Sequence, residues 1–178
     1  MSGRVPRDRP SPEAAPARLP LLDRLIDEAP DAPRDPPLSA AETVARLRRS
    51  IRRDLEALLN ARRRWRSWPE GYAELAVSPV GYGIPDFTAG AFNDPARREE
   101  LRAAVETTIR RFEPRLARIR VRLLDTADSL EATLRLRIDA LLRVDPAPEP
   151  IAFDTLIDAA TAAVSVTAQA EAAAGSDV

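Results

Sequence analysis

The chain of 178 residues contains no cysteine, no histidine and no lysine. Without cysteine it has no disulfide, thiolate metal site or thiol nucleophile. Without histidine it lacks the commonest general base, the commonest metal ligand and the usual pH switch. An enzyme with this composition would have to work with carboxylates, hydroxyls and arginine, and we expect no catalytic residue, no metal site and no cofactor. The absence of cysteine also favours a reducing, cytoplasmic location.

Long apolar runs and aromatic residues are scarce as well. No stretch of eighteen apolar residues occurs, and the first twenty residues hold no continuous apolar segment, so we expect neither a membrane span nor a signal peptide. Aromatic residues make up 4% of the chain, which predicts a core of Leu, Ile, Val and Ala. A net charge of −1 argues against a dedicated nucleic-acid-binding protein.

Proline, in contrast, is abundant and unevenly distributed. Nine of the 17 prolines lie in residues 1–37, which shortens the part of the chain that can fold. Segments rich in Pro, Ser, Ala and charge bury too little apolar surface to offset chain entropy. We expect four parts: a disordered extension (1–18), a short amphipathic segment with its linker (19–37), one domain (38–168) and a disordered tail (169–178).

The amphipathic segment "LPLLDRLID" lies between two of these proline-rich stretches. Its apolar residues Leu21, Leu22, Leu25 and Ile26 have helical spacing. So short a helix is not stable alone. We expect it to dock on its own domain or on a partner.

Two longer helices have clear start signals. Ser39 and Glu42 match an S-x-x-E capping box, and a stripe of apolar residues follows as far as Asn60. Asp94-Pro95 is an N-cap followed by proline at the first helical position. Pro114 is expected to end this second helix. The apolar stripes comprise Val44, Leu47, Ile51, Leu55 and Leu58 in the first helix, and Leu101, Val105, Ile109 and Phe112 in the second.

After Pro114 the apolar period changes from helical to alternating. Apolar residues alternate with polar ones in 119–124 and 132–143, and further strands are expected at 151–157 and 162–168. The segment 158–163 lacks the glycine expected in a tight hairpin turn, so the pattern establishes neither the existence nor the register of the last strand. The prediction is an α+β fold in which two N-terminal helices pack on a small antiparallel β-sheet of three to four strands, with disordered termini.

The stretch Glu113-Pro114-Arg115 lies where the helix gives way to the first strand. The macrodipole disfavours a carboxylate at the helix C-terminus, and strand alternation counted back from Ile119 turns Ala117 and Arg115 toward the core. An internal Glu113–Arg115 clasp, or two charges presented to a partner, would satisfy both groups. A catalytic Glu113 would need a second carboxylate across a groove, and the sequence offers only weak candidates for one.

An arginine cluster occupies residues 46–66, with nine arginines against Asp54 and Glu56. Three interpretations are open: a solvated helix face, a basic face for an acidic protein partner, and a nucleic-acid site that uses Trp65 and Trp68 for stacking. Between the helices, residues 65–93 are rich in Gly and Pro and predict a long loop with a helical turn near 70–76.

Five segments in order, "LLDRL", "SIRRDLEALLNARR", "YGIPDF", "FEPRL" and "FDTLID", resemble the TssE family. TssE is the small baseplate subunit of the type VI secretion system, similar to the lysozyme-like wedge proteins of contractile phage baseplates. The resemblance covers roughly residues 19–167. It implies a structural, non-enzymatic role in a multi-protein complex in the cytoplasm, although the family is named after lysozyme.

The resemblance also implies partners and partner-binding residues. Its Glu-Pro-Arg motif matches Glu113, Pro114 and Arg115, and would contact the wedge subunits TssF and TssG. The sheet would receive strands from the sheath subunits TssB and TssC. The full set of expected partner-binding residues is Glu113, Pro114, Arg115, Leu21, Leu22, Asp23, Leu25, Tyr82, Pro85 and Asp86. A peptidoglycan glycosidase and, further off, a nucleic-acid-binding module are the alternative functions.

Overall fold

The computed structural model describes residues 19–26, 31, 38–63, 69–87, 94–124, 133–145, 147–158 and 160–169. The predicted disorder of 1–18 and of the tail after Gln169 concerns residues outside these ranges, and Trp65 and Trp68 also lie outside them. Helices and strands follow in the order α1 (Leu21–Leu25), α2 (Ala40–Asn60), β1 (Arg62–Arg63), β2 (Ile84–Pro85), α3 (Pro95–Phe112), β3 (Leu116–Leu124), β4 (Thr133–Leu142), β5 (Glu149–Asp158) and β6 (Val164–Ala168).

Helix α2 begins and ends where the sequence predicts. The Ser39 side chain accepts a hydrogen bond from the Glu42 amide, and Glu42 accepts one from the Ser39 amide at 2.8 Å, which completes the capping box. The predicted stripe is buried along the helix, except that Val44 is only partly covered. Helix α2 therefore lies with one continuous apolar face on the core.

Helix α3 is also delimited by its predicted signals. The Asp94 side chain accepts a hydrogen bond from the Ala96 amide at 2.9 Å, and Pro95 occupies the first turn. The helix ends at Phe112, immediately before Glu113 and Pro114. Three of the four predicted apolar positions are fully buried, whereas Phe112 is partly exposed.

The main sheet is antiparallel, with the strand order β3-β4-β5-β6. Helix α3 packs chiefly on β3 and helix α2 on β6, so both helices cover the same face. The predicted alternation in β4 is confirmed because all its apolar residues on one face are buried. The core between helices and sheet includes Leu47, Ile51, Leu55, Leu101, Val105, Ile109, Val121, Leu136, Ile138, Leu142, Phe153 and Ile157.

A β-bulge in β3 corrects one expectation. Ala117 pairs with Leu141 and Arg120 with Asp139, so β3 holds one residue more than β4 over this stretch. Arg118 takes up the extra residue with φ of 49°. The inward residue before the bulge is consequently Leu116, not Ala117, and the alternation counted back from Ile119 was wrong at that point.

The fourth strand exists, and its turn forms without glycine. The Asp158 carboxylate accepts hydrogen bonds from the amides of Ala160 at 2.7 Å and Thr161 at 2.9 Å. Ala162 then adopts a positive φ of 55°. The carboxylate thus stabilises a turn in which alanine occupies a conformation that favours glycine.

The loop between α2 and α3 has more regular structure than the sequence predicts. The expected turn is a 3₁₀ helix over Glu70–Val77, and a second one follows at Pro79–Gly81. The two-residue strands β1 and β2 pair in parallel, which no alternation pattern of that length can reveal. Gly83, immediately before β2, has φ of 96°. The amide of the next residue, Ile84, donates to the Ala61 carbonyl at 3.1 Å.

The architecture is α+β, as predicted, with two long helices on a four-stranded antiparallel sheet. The small parallel pair and the short helix α1 are added to it. Among the helices in the described ranges, none combines the length and apolar character that a membrane crossing requires.

Gly83→Ala should destabilise the domain, because a Cβ there would collide with the Ala61 carbonyl oxygen and would also require an L-residue at positive φ. We expect a loss of at least about 1–2 kcal/mol in the free energy of unfolding, measured by urea denaturation. Gly71→Ala is the matched control, since nothing lies within 4 Å of its added methyl group. Equal stability of the two variants would contradict this account of the loop.

Candidate functional site

The junction between α3 and β3 places two charged side chains over the end of the helix. The Glu113 amide donates to the Ile109 carbonyl at 2.9 Å, as the last bond of the helix. Pro114 then turns the chain, and the Arg115 carbonyl accepts from the Arg143 amide at 2.9 Å, which starts the pairing with β4. Glu113 and Arg115 are therefore fixed by backbone bonds on both sides.

Glu113 and Arg115 form a two-pronged ion pair within the chain. Arg115 Nε donates to Glu113 Oε1 at 2.6 Å and Arg115 Nη2 donates to Glu113 Oε2. The Glu113 side chain is only 5% exposed and that of Arg115 is 22% exposed. Fork-to-fork pairing of this kind is the strong form of a charge-assisted bond. The carboxylate at the helix C-terminus is thus neutralised by its own neighbour.

Arg115 also reaches across to α2. Its Nη1 donates to Ser50 Oγ at 3.0 Å and its Nη2 to Asp54 Oδ2 at 2.7 Å. Burial opposes the charge on the guanidinium, but the hydrogen bonds and the negative charges of Glu113 and Asp54 outweigh it and raise the pKa of Arg115. We call Ser50, Asp54, Glu113 and Arg115 the arginine clasp, because together they tie α2 to the α3–β3 junction.

Helix α1 is attached to the arginine clasp by its one acidic residue. Asp23 accepts hydrogen bonds from Ser50 Oγ and from Arg53 Nη2, the latter at 2.9 Å. The Asp23 side chain is 12% exposed, whereas Leu21, Leu22 and Leu25 are exposed by 60–72%. The short helix is therefore held by a polar contact, and its leucines point to solvent.

Tyr82 lies close to the arginine clasp. Its ring packs edge-to-face on Phe112, with ring centroids 5.3 Å apart and an interplanar angle of 72°. Partial burial raises the pKa of Tyr82, and the negative charges of Asp54 and Glu113 raise it further. This ring therefore borders the clasp while 38% of the residue remains exposed.

The structure brings together most of the residues expected to bind partners. Hydrogen bonds that run through Ser50 of α2 connect Asp23, Arg115 and Glu113. Pro114 lies within the α3–β3 junction and Tyr82 borders the arginine clasp. The leucines of α1 lie on the helix that Asp23 attaches to the clasp. Pro85 and Asp86 are placed apart. Pro85 lines a small cavity with Phe87, Leu101 and Ile157, and Asp86 is exposed with no described contact to the clasp.

Sequence reasoning missed Ser50, Arg53 and Asp54 as members of this site. Ser50 is buried and Asp54 half-buried, one turn apart, on or beside the apolar stripe of α2. A polar residue within such a stripe requires a polar partner, because an unpaired buried group is costly. That signal was present in the sequence, although the identity of the partner was not.

The arginine cluster of residues 46–66 is largely bonded within the chain. Arg48 pairs with Glu149 at 3.0 Å, Arg52 with Glu56 at 3.2 Å and Arg53 with Asp23. Arg62 donates to the carbonyls of Leu59, at 2.7 Å, and Ala162. Among the described members, this favours a structural helix face over an open phosphate-binding surface.

The edge strand β6 has backbone groups covered by side chains of α2. Asn60 Nδ2 donates to the Val164 carbonyl at 2.7 Å, and Asn60 Oδ1 accepts from the Val164 amide at 2.9 Å. Arg52 adds a longer bond of 3.4 Å to the Val166 carbonyl. Asn60 therefore makes the two bonds that a further strand would make at Val164.

The opposite edge, β3, is covered in the same way by α3. Glu106 accepts from the Val121 amide and Arg102 donates to the Val121 carbonyl, both at 3.2 Å. Burial would raise the pKa of Glu106, but the bonds from the Val121 amide, Arg110 and Arg102 lower it overall. Each edge of the sheet thus has at least one residue whose amide and carbonyl are both occupied by helix side chains.

The chemistry of the site is that of an ion-pair network. Within the described residues, no group of three or more acidic side chains is arranged to hold a metal ion. Both oxygens of Glu113 are bound by Arg115, so this carboxylate is not presented to an open groove.

Comparison with known proteins identifies the family. The family model for baseplate wedge protein gp25 matches residues 45–147, more than half of the chain. This chain therefore belongs to the baseplate wedge protein gp25 family, a family of structural baseplate proteins. The match includes α2 from residue 45 onward, α3, the arginine clasp, β3 and β4.

A solved structure of the baseplate complex from the type VI secretion system provides a more distant similarity. One chain of that complex is 15% identical to this one, with a TM-score of 0.45. The alignment covers 63% of this chain and 94% of that chain. No curated protein sequence matches the chain.

Arg115→Ala should leave the buried Glu113 carboxylate without a counter-charge. We expect a loss of about 3–5 kcal/mol in the free energy of unfolding, measured by urea denaturation. The double variant Glu113→Gln, Arg115→Met should lose clearly less stability than the sum of the losses in the single variants Glu113→Gln and Arg115→Met. Arg110→Ala removes an exposed arginine from the last turn of α3 and should lower the free energy of unfolding by less than about 1 kcal/mol. Additive single effects would contradict a coupled clasp.

Tyr82 should report on the clasp by its own titration. In a Tyr72→Phe background, ultraviolet absorbance should place the Tyr82 midpoint above the ordinary tyrosine value of about 10. Asp54→Asn should lower that midpoint, because it removes one negative charge, but burial should keep it above the ordinary value. The control Asp145→Asn changes the net charge by the same amount, at an exposed loop residue, and should leave the Tyr82 midpoint unchanged.

Proposed function

We propose that this chain is a structural wedge subunit in the baseplate of a type VI secretion system, similar to TssE, and that it acts in the cytoplasm. Membership of the gp25 family supports the baseplate role. The ordered set of five segments that resemble TssE supports the particular system. Its partners in this proposal are the wedge subunits TssF and TssG and the sheath subunits TssB and TssC.

The observation that carries the proposal is the arrangement of α1 on the arginine clasp. Three leucines, each at least 60% exposed, lie on a five-residue helix that could not form alone. Asp23 fixes this helix to Ser50 and Arg53. Exposed apolar side chains on a fixed element are typical of a protein–protein contact. We infer that the leucines of α1 bind the wedge subunits.

The role of Glu113-Pro114-Arg115 in this proposal is to build the docking surface. Because the two charges already satisfy each other, they contribute shape and rigidity, and Arg115 retains a partly exposed guanidinium for a charge-assisted bond to the partner. A loss of either charge would move Asp54 and Ser50, and through Ser50 also Asp23 and α1. The motif would thus act on wedge binding both directly and through α1.

Sheath assembly in this proposal uses strand addition to the four-stranded sheet. An incoming strand needs free amide and carbonyl groups along an edge. Val121 and Val164 have both groups occupied by side chains of α3 and α2. We therefore expect strand addition to require that one of these sets of side chains moves away.

We propose no hydrolytic activity. A glycosidase needs a protonated carboxylic acid and a second carboxylate facing the same groove. Glu113 is buried and both its carboxylate oxygens are bound by Arg115, so it does not face an open groove. Purified protein should therefore leave the turbidity of a cell-wall suspension unchanged, and clearing that Glu113→Gln abolishes would contradict the proposal.

Leu21→Asp with Leu25→Asp should abolish co-purification with TssF and TssG, because it places charges in the proposed apolar contact. Both leucines are about 70% exposed, so the free energy of unfolding should change little. Val77→Asp is the matched control, since it places a charge at a similarly exposed apolar residue on the 3₁₀ helix.

Sheath formation in cells should fail in the double leucine variant and remain normal in the control. If the double variant retains the wedge subunits as well as the wild type does, α1 is not part of the interface. If the wild-type chain itself co-purifies with neither wedge nor sheath subunits, the assignment to a type VI baseplate is wrong.

A further inference from the structure

The sheet face opposite the helices carries a concentration of arginine. Arg118, Arg120 and Arg122 come from β3, and Arg135 and Arg137 come from β4. We call these five residues the arginine face. It lies on the other side of the sheet from the arginine clasp and from α1, so the docking surface proposed above does not use it.

The charges of the arginine face are only partly balanced. Arg122 and Arg137 are directly opposite each other in the β3–β4 register, and like charges in that position destabilise a sheet. Both guanidiniums donate to the single carboxylate of Asp139, Arg137 at 3.1 Å. Burial would raise the pKa of Asp139, but these two bonds lower it, so Asp139 is held ionised between them. In this trio two positive charges face one negative charge, and on the β5 side Asp154 lies opposite Arg137 in the register.

Arg118 and Arg120 add to the excess. Both are exposed, and neither makes an ion pair or hydrogen bond by its side chain with another described residue. Arg118 also occupies the bulge at φ of 49°, a conformation that is unfavourable for a residue with a Cβ. A glycine would fit this backbone better, so stability does not account for the arginine.

A groove runs along the arginine face toward β5. Its volume is about 640 Å³, and its lining combines four of the five arginines with Leu141, Pro150, Ile151 and Ala152. A lining of guanidinium groups and apolar side chains matches an extended peptide with both acidic and apolar side chains. The lining has no aromatic residue for base stacking and includes the Asp139 carboxylate, so it suits nucleic acid less well.

We propose that the arginine face binds an acidic, extended segment of another protein chain. Carboxylates of that segment pair with Arg118 and Arg120, and its apolar side chains lie on Leu141 and Pro150. Binding is electrostatically steered and weakens as the salt concentration rises. This inference depends on the charge and shape of the sheet face alone and holds whether or not the chain works in a type VI baseplate.

The test uses a fluorescein-labelled synthetic peptide in which Glu alternates with Leu, titrated with the full chain at low salt and followed by fluorescence anisotropy. Arg118→Gly with Arg120→Ser should weaken binding by roughly three- to tenfold, the range expected for two exposed ion pairs. Arg97→Ala, at an exposed arginine of α3 on the other side of the sheet, should bind as the wild type does.

Folding is monitored in parallel by the thermal midpoint. Arg118→Gly relieves the positive φ, so its midpoint should equal or exceed that of the wild type, and weaker binding could not then be ascribed to unfolding. Equal affinity of the double variant and the wild type would overturn the proposal. So would equal binding of a peptide with Lys in place of Glu, or tighter binding of oligothymidylate than of the acidic peptide.

Discussion

The burial of the Arg115 guanidinium between two carboxylates is the constraint on which the rest of the structure depends. Glu113 and Asp54 come from different elements, and the single cation between them fixes the start of the sheet relative to α2. Ser50 extends the same network to Asp23 and so to α1. A chain without histidine, cysteine or lysine achieves this with the one cationic side chain that can bond several acceptors in a plane at once.

Most of the helices and strands could be predicted from the sequence because their signals are local. Ser39 and Asp94 accept from amides in the next turn, Glu42 accepts from the Ser39 amide three residues before it, and Pro114 acts on the residue before it. The bulge at Arg118 could not be predicted, because it depends on how β3 registers against β4, and nothing in the local alternation marks it. The turn before β6 was uncertain for a similar reason, since Asp158 stabilises it by bonds that no glycine pattern signals.

The sequence indicated some of the charged residues that form the candidate site, but not the hydrogen bonds that connect them. The position of Glu113 at a helix end indicated that this carboxylate needs compensation, whereas the argument for Arg115 rested on an alternation that the bulge interrupts. The bonds of Arg115 to Asp54 and Ser50 span more than sixty residues of sequence, and contacts so far apart in the chain produce no periodic pattern in the sequence. The segment that contains Asp23 was predicted to dock on the domain or on a partner. That Asp23 accepts hydrogen bonds from Ser50 and Arg53 follows only from the packing of α1 on α2.

The side chain of Asn60 has a consequence for how the protein behaves before assembly. Its amide occupies both backbone groups of Val164, as a neighbouring strand would. Together with Arg102 and Glu106 on the other edge, it makes edge-to-edge pairing of two copies compete with bonds already made. These side-chain bonds therefore oppose the growth of fibres by edge-to-edge addition of chains at Val164 and Val121.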